Sequence, residues 1–288
     1  MRFLLLALLT WAVPTFGAEA FWPGWLGPNR DGWVGKFKAP KTWPTKLQTA
    51  WRIKVGEGYG TPLVIGDRVF QHARLGEKEV VWALDLKTGR KVWQTYFETP
   101  FKIGGGGEKH GKGPKANPTY ASGRLFVMSI AGRLSALDAA EGKVLWRADY
   151  NSKFQPSHPR WGMCNSPVVD ANLVIAHFGN DESGLLAAFD VRSGKEIWTQ
   201  GNDLPSYSSP TVVTHEGIRQ VIEWNRRALV GVNAKTGNLL WEYPFPRVGT
   251  NQNMPTPSFY QGKVLLGGEN RGLHGIEPKL ENGKWTVS

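Results

Sequence analysis

Short apolar runs recur along the chain, each introduced in the same way. A polar residue and a proline, followed by two residues of which at least one is β-branched or aromatic, recur at Thr61-Pro62-Leu63-Val64, Asn117-Pro118-Thr119-Tyr120, Ser166-Pro167-Val168-Val169, Ser209-Pro210-Thr211-Val212 and Thr256-Pro257-Ser258-Phe259. A Gly or Asn turn comes next and then a second apolar run, as in Gly123-Arg124-Leu125-Phe126-Val127. Runs this short, bounded by turn residues, predict strands. Several are apolar on both faces, which fits strands covered on both sides better than a sheet with one wet face. Proline at the start of a strand removes no ladder hydrogen bond.

A second pattern lies between these runs. Ala83-Leu84-Asp85 leads to Gly89 and Trp93, Ala136-Leu137-Asp138 to Gly142 and Trp146, Ala188-Phe189-Asp190 to Gly194 and Trp198, and Gly231-Val232-Asn233 to Gly237 and Trp241. In each, Gly follows the Asp or Asn by four positions and Trp follows it by eight. With Trp51, the tryptophans are spaced by 42, 53, 52 and 43 residues. A period of roughly 40 to 50 residues indicates a propeller or another repeat array. The expectation is therefore an all-β chain, a β-propeller of four-stranded antiparallel blades over residues 51–288, with about five blades. The Asp or Asn is expected to accept backbone N–H bonds across the turn, and the Gly to supply the positive φ that closes it. A row of calcium loops is the weaker reading, because one carboxylate per turn falls far short of the roughly six to eight oxygens calcium takes. The recurrent Trp is expected to dock between neighbouring blades, burying about 150 to 250 Å². Insertions at 101–117 and 150–163 account for the two longer spacings.

The first 20 residues read differently. Met1 and Arg2 precede a nearly unbroken apolar stretch, and Ala18-Glu19-Ala20 has the small-x-small pattern of a signal-peptidase site. The stretch is shorter than the roughly 20 residues a membrane span requires, and Pro14 interrupts it. Residues 1–20 are thus expected to be a signal peptide, 21–50 a leader and 51–288 the repeats, in an exported, periplasmic or extracellular protein that does not span the membrane. Composition narrows the chemistry. Cys164 is the one cysteine, which removes a disulfide framework, a CxxC zinc site and a haem attachment motif. The six histidines are scattered, with no HExxH, and no GxSxG elbow is present. Gly106 to Lys112 satisfies GxxxxGK, but Gly113 stands where a magnesium-binding Ser or Thr is needed and Pro114 follows, so a flexible insertion is the better reading. A net charge of +11 invites nucleic acid, yet an exported protein rarely meets it. An acidic envelope protein or an anionic glycan is the expected partner.

At Ala-x-Asp-x-x-Thr-Gly-x-x-x-Trp the chain resembles the pyrroloquinoline-quinone-like β-propeller repeat family, over about residues 51 to 285. Trp22-Pro23-Gly24-Trp25-Leu26-Gly27-Pro28-Asn29-Arg30-Asp31-Gly32, Trp161 to Pro167 and Tyr207-Ser208-Ser209-Pro210 are similar to its secreted bacterial members. The resemblance implies radial four-stranded blades, in a ring that usually has about seven or eight of them; the repeats here either close at five or belong to an incomplete ring. The last copy, Gly275-Ile276-Glu277 to Trp285, has Glu281 in place of the glycine. The family's quinoprotein dehydrogenases imply one function, alcohol or sugar oxidation with pyrroloquinoline quinone and calcium. Cys164 cannot form the adjacent-cysteine disulfide those enzymes often carry. The favoured expectation is a non-enzymatic binding or assembly scaffold of the cell envelope, by analogy with the propeller component of the outer-membrane barrel-assembly machinery, with neither cofactor nor metal. Its ligand would meet the residues leading into the inner strands, Asn117, Asn165, Ser208, Ser209 and Asn253.

Overall fold

The computed structural model describes residues 21–35, 38–249 and 252–288; the expected signal peptide lies outside the described residues. Blade 1 comprises β1 (Phe21–Trp22), β2 (Leu63–Ile65), β3 (Arg68–Leu75), β4 (Lys78–Asp85) and β5 (Lys91–Glu98). Blade 2 holds β6 (Thr119–Ala121), β7 (Arg124–Met128), β8 (Arg133–Asp138) and β9 (Val144–Asp149). Blade 3 holds β10 (Val168–Asp170), β11 (Leu173–Gly179), β12 (Gly184–Asp190) and β13 (Glu196–Gln200). Blade 4 holds β14 (Thr211–His215), β15 (Ile218–Trp224), β16 (Ala228–Asn233) and β17 (Leu239–Pro244). A three-stranded fifth sheet, β18 (Ser258–Tyr260), β19 (Lys263–Gly268) and β20 (Gly272–Ile276), precedes a separate hairpin, β21 (Pro278–Glu281) and β22 (Lys284–Val287).

Each blade's first full strand begins at the residue after its proline, at Leu63, Thr119, Val168, Thr211 and Ser258. These first strands converge, with β10 touching both β6 and β14. Middle strands are covered on both faces, β11 throughout its length. Outer strands such as β9 alternate between exposed positions and half-buried or buried ones. The order is that of propeller blades radiating from an axis. Apolar side chains fill the spaces between blades, with Phe126, Met128, Val174 and Phe178 joining blades 2 and 3, and Ile175, Ala188, Val221 and Val230 joining blades 3 and 4.

The repeated Asp, Gly and Trp form one interlock. Asp85 Oδ1 accepts the Thr88 N–H at 2.8 Å, and Asn233 Oδ1 accepts the Lys235 and Thr236 N–H groups at 3.0 and 3.1 Å. The turn glycines have φ of 69°, 74°, 70° and 77° at Gly89, Gly142, Gly194 and Gly237. Each lies under a tryptophan of the preceding outer segment: Trp51, Trp93, Trp146 and Trp198, where an added Cβ would come within 2.5–2.8 Å of the ring. Those four indoles donate to the carbonyls of Leu86, Ala139, Val191 and Ala234 at 2.8 to 3.2 Å, each one residue past the turn Asp or Asn. The glycine is therefore required twice, by its φ and by the ring above it.

The last copy of the repeat departs from this plan. Trp285 does not sit in a fourth strand of the fifth sheet but in β22, whose partner is β21. Asn282 and Gly283, at φ 50° and 76°, make a tight two-residue hairpin turn where the other copies have the Asx turn, and β22 packs on β17. Trp241, lacking a glycine turn beside it, turns its indole to Gln220 Oε1 within its own blade at 2.8 Å.

The leader crosses the inner ends of the blades. Phe21 and Trp22 pair with Ile65 and Val64, the Pro23 carbonyl accepts the Tyr120 N–H at 2.7 Å, the Trp25 indole donates to Thr256 Oγ1 at 2.8 Å, and Arg30 Nη2 donates to the Pro210 carbonyl at 3.0 Å. One short segment thus ties blades 1, 2, 4 and 5 together. Burial draws the Arg30 guanidinium down to about 10, still protonated at neutral pH. Trp25→Ala removes a half-buried ring and its hydrogen bond, and is expected to lower stability by about 2 kcal/mol, read as a fall in the thermal midpoint.

Candidate functional site

The connections from each outer strand to the next inner strand gather on one face. They enclose a cavity of about 470 Å³ whose wall includes Trp25, Tyr59, His110, Lys115, Trp161, Cys164, Tyr207 and Met254. A register underlies this set. Tyr59, Lys115, Cys164, Tyr207 and Met254 each stand three residues before the proline that opens an inner strand, and Asn117, Ser166, Ser209 and Thr256, one residue before it, line the same cavity. Extended chain points alternate side chains to opposite sides, so each connection after the first presents two residues to the cavity and turns the one between them away.

That alternation separates the five residues named from sequence. Asn117 and Ser209 reach the cavity wall. Asn165, Ser208 and Asn253 are buried at the turned-away positions, in hydrogen bonds to the protein. The Asn165 amide donates to the His177 carbonyl at 3.2 Å and accepts the His177 N–H at 3.3 Å. The Ser208 hydroxyl donates to the Pro255 carbonyl at 3.0 Å. Asn253 Nδ2 donates to the Asn225 carbonyl at 2.8 Å, while its Oδ1 accepts from Arg271 at 3.1 Å. The cavity-facing hydroxyls also join blades: Ser166 Oγ accepts the Asn117 N–H and Ser209 Oγ the Ser166 N–H, both at 2.9 Å. Apart from Asn165, which is bonded within its own blade, the polar lead-in residues thus stitch neighbouring blades, and the residues two positions earlier supply most of the open surface.

Both insertions contribute to this face. Gly104 N donates to the Arg160 carbonyl at 2.6 Å, and the Phe101 and His158 rings lie 4.8 Å apart, so segments 101–117 and 150–163 brace each other. In the GxxxxGK stretch the Gly106 N–H donates to Glu108 Oε2 at 2.8 Å, which places a carboxylate at the start of the loop rather than leaving it open for phosphate. Trp161 stacks on Tyr207 with ring centroids 6.1 Å apart and planes 16° from parallel.

Charge on the wall is sparse. The Lys115 ammonium donates to the Trp161 carbonyl at 2.5 Å rather than to a carboxylate, and burial holds its pKa below the usual lysine value. Burial pushes the Cys164 thiol up to about 12 and raises the Tyr207 phenol, so both stay protonated. A protonated thiol is a poor nucleophile. The wall is fitted to hold an apolar group beside a cation. It does not fit a calcium–quinone pair: Glu269 is the one carboxylate among the described lining residues, against the roughly six to eight oxygens calcium takes. Among the described residues no three His, Cys, Asp or Glu side chains gather as a metal site, and no helix is long and apolar enough to cross a membrane.

Radial antiparallel blades, the Asp-Gly-Trp interlock and a cavity at the axis define a propeller of pyrroloquinoline-quinone-like repeats. The chain belongs to the family described as outer membrane protein assembly factor BamB, whose model matches residues 48–105 and 77–287. It is 28% identical over 165 residues to outer membrane protein assembly factor BamB of Shewanella oneidensis, covering 55% of this chain and 38% of that protein. It is also 28% identical over 158 residues to the quinohemoprotein alcohol dehydrogenase ADH-IIG of Pseudomonas putida, covering 53% of this chain and 21% of that one. The crystal structure of BamB from Moraxella catarrhalis superposes with a TM-score of 0.52 at 17% identity, over 77% of this chain and 57% of that chain. The chain therefore spans well under half the length of both curated relatives.

Tyr59 and Met254 carried no sequence signal as single residues. Their common offset from the inner-strand prolines is the signal that finds them.

Proposed function

We propose that this chain is an exported, non-enzymatic scaffold of the cell envelope that binds a partner protein at the cavity face. The observation that carries the reading is the wall itself: aromatic and thioether side chains with one ammonium set against a backbone carbonyl, no activated nucleophile, and lead-in polar groups already engaged in hydrogen bonds to the protein. Membership of a family described as an outer-membrane assembly factor supports it. The test is a photo-crosslinking amino acid placed at Tyr59 or Met254, both exposed at the cavity, and at Tyr260, the exposed last residue of β18, in cells secreting the protein. Discrete envelope-protein adducts from the first two positions and not from Tyr260 are expected. Equal adducts from all three, or none from folded protein, would count against the reading.

A quinone dehydrogenase is the second reading, favoured by the likeness to ADH-IIG. The donor set of the cavity opposes it. Titration with pyrroloquinoline quinone and calcium is expected to leave tryptophan emission unchanged, whereas saturable quenching with reduction of an electron-accepting dye would reverse the order of the two readings.

A further inference from the structure

We infer that the cavity is a receptor for one chemistry, an acidic peptide segment that inserts a large apolar or aromatic side chain; the inference rests on the scaffold reading above. Three independent features converge on it. The first is the register described above, in which every blade connection presents the residue three positions before its proline. Tyr59, Lys115, Tyr207 and Met254 are four such residues from four connections, so a single side chain entering the cavity would be read by several blades at once. The second is shape and polarity. Trp25 from the leader and Trp161 stacked on Tyr207 supply broad ring faces around about 470 Å³, within the range of roughly 300 to 1,000 Å³ that serves a buried ligand. Tyr59 and Met254 are 58% and 59% exposed, so the mouth is open to solvent from one side. Aromatic anchors filling such pockets dominate protein–protein affinity.

The third feature is charge. Lys115 lies in the wall with its ammonium against the Trp161 carbonyl, where a ligand carboxylate can join it, and Glu269 is the wall's one opposing carboxylate among the described lining residues. Outside the wall, Lys102 and Lys109 of the first insertion are exposed. Lys112 of the same insertion reaches Glu77 only at 3.4 Å across a pair that is largely solvent-exposed, and such a pair adds little. An acidic segment flanking the anchor would therefore be steered to this mouth and a basic one repelled. Within the wall a charge-assisted contact gains strength from the partial exclusion of water.

The probes are three fluorescein-labelled peptides of equal length: Asp/Glu-rich with a central Phe, the same with Ala for Phe, and a Lys-rich version with the Phe retained. Anisotropy titrations use the whole secreted chain. The acidic Phe peptide is expected to bind saturably and to weaken about tenfold or more on loss of Phe, on reversal of charge, or on Lys115→Gln, since a hydrogen bond to a charged group carries about that factor. Tyr260→Ser serves as the folded control and should leave binding unchanged. No saturable binding of the acidic Phe peptide, equal binding of the Lys-rich peptide, or indifference to Lys115→Gln in a variant whose thermal midpoint matches the parent would each overturn the inference. Envelope adducts at Tyr59 and Met254 together with failure of the acidic Phe peptide would leave the scaffold standing and remove only this assignment.

Discussion

Replacing Trp198 with alanine is expected to lower stability by about 3 to 5 kcal/mol, the usual range for deleting a buried aromatic ring. For a chain of this size that corresponds to a fall in the thermal midpoint of about 10 °C. Trp198 is 8% exposed, donates its indole N–H to the Ala234 carbonyl at 3.1 Å and lies over Gly237. It is the bolt between blades 3 and 4. Gly237→Ala should act on the same bolt from the other side, because a Cβ there would approach the ring to 2.8 Å at a φ of 77°. The two changes should not add. Once the ring is gone, Gly237→Ala is left with its backbone strain, about 1 kcal/mol, so a double-mutant cycle in urea should return a coupling of about 1 kcal/mol or more. Additivity within error would mean that ring and glycine do not form one device. Blades in such an array are held mainly by their neighbours, so hydrogen exchange should quicken first in the strands on either side of that interface, β13 and β16.

The same interlock shows how far a sequence of this kind can be read. Asp85, Gly89 and Trp93 reveal the period, the strands and the inter-blade role of the tryptophan, because turn closure and burial of a large ring act over a few residues and leave a fixed spacing. What Gly89 touches was not legible, since the ring above it is Trp51, from a segment a blade away. The site behaves likewise. Asn117, Asn165, Ser208, Ser209 and Asn253 were singled out as the residues leading into the inner strands where a ligand would be met, and of these Asn117 and Ser209 line the cavity. The period of two along an extended chain then decides which of them face the cavity, and a one-residue difference in offset sends Ser208 into a blade-to-blade hydrogen bond and Asn165 into hydrogen bonds within its own blade. Lys115 and Trp161 stand in the two insertions that the longer repeat spacings mark. The leader motif at Trp25 was visible, but its path across four blades was not, because nothing local in Trp22-Pro23-Gly24-Trp25 encodes Thr256. The fifth copy was flagged at Glu281, and Asn282-Gly283 carries the hairpin signal that explains the departure.

Glu223→Gln is expected to produce a loss of about 3 kcal/mol near pH 6, shrinking as pH rises, and the physical reason lies in the bonding of His177. Its Nδ1 lies 2.5 Å from Glu223 Oε1 and its Nε2 2.9 Å from the Asp203 carbonyl. A carbonyl can only accept, so Nε2 carries a proton; with Glu223 ionised its carboxylate also only accepts, so Nδ1 carries the other and the ring is an imidazolium. Burial alone would pull its pKa down, but the Glu223 carboxylate, aided by the Asp203 carbonyl, outweighs burial and holds it above the ordinary histidine value. A folded pKa raised above the unfolded value stabilises fully below about pH 6.5 and is lost as pH climbs through the folded value. The parent should therefore lose stability on the alkaline side. In the Gln variant burial acts unopposed, His177 sheds its charge, and this alkaline decline should flatten. Removing one member of a buried pair typically costs about 3 to 5 kcal/mol, here softened because histidine can neutralise itself. The pair joins β11 to β15, the same two blades that Trp198 bolts at their outer edge. Urea midpoints for parent and variant from pH 5.5 to 9 measure the effect. Parallel curves would mean that His177 is neutral in the folded protein and that the blade 3–4 contact is held by packing alone.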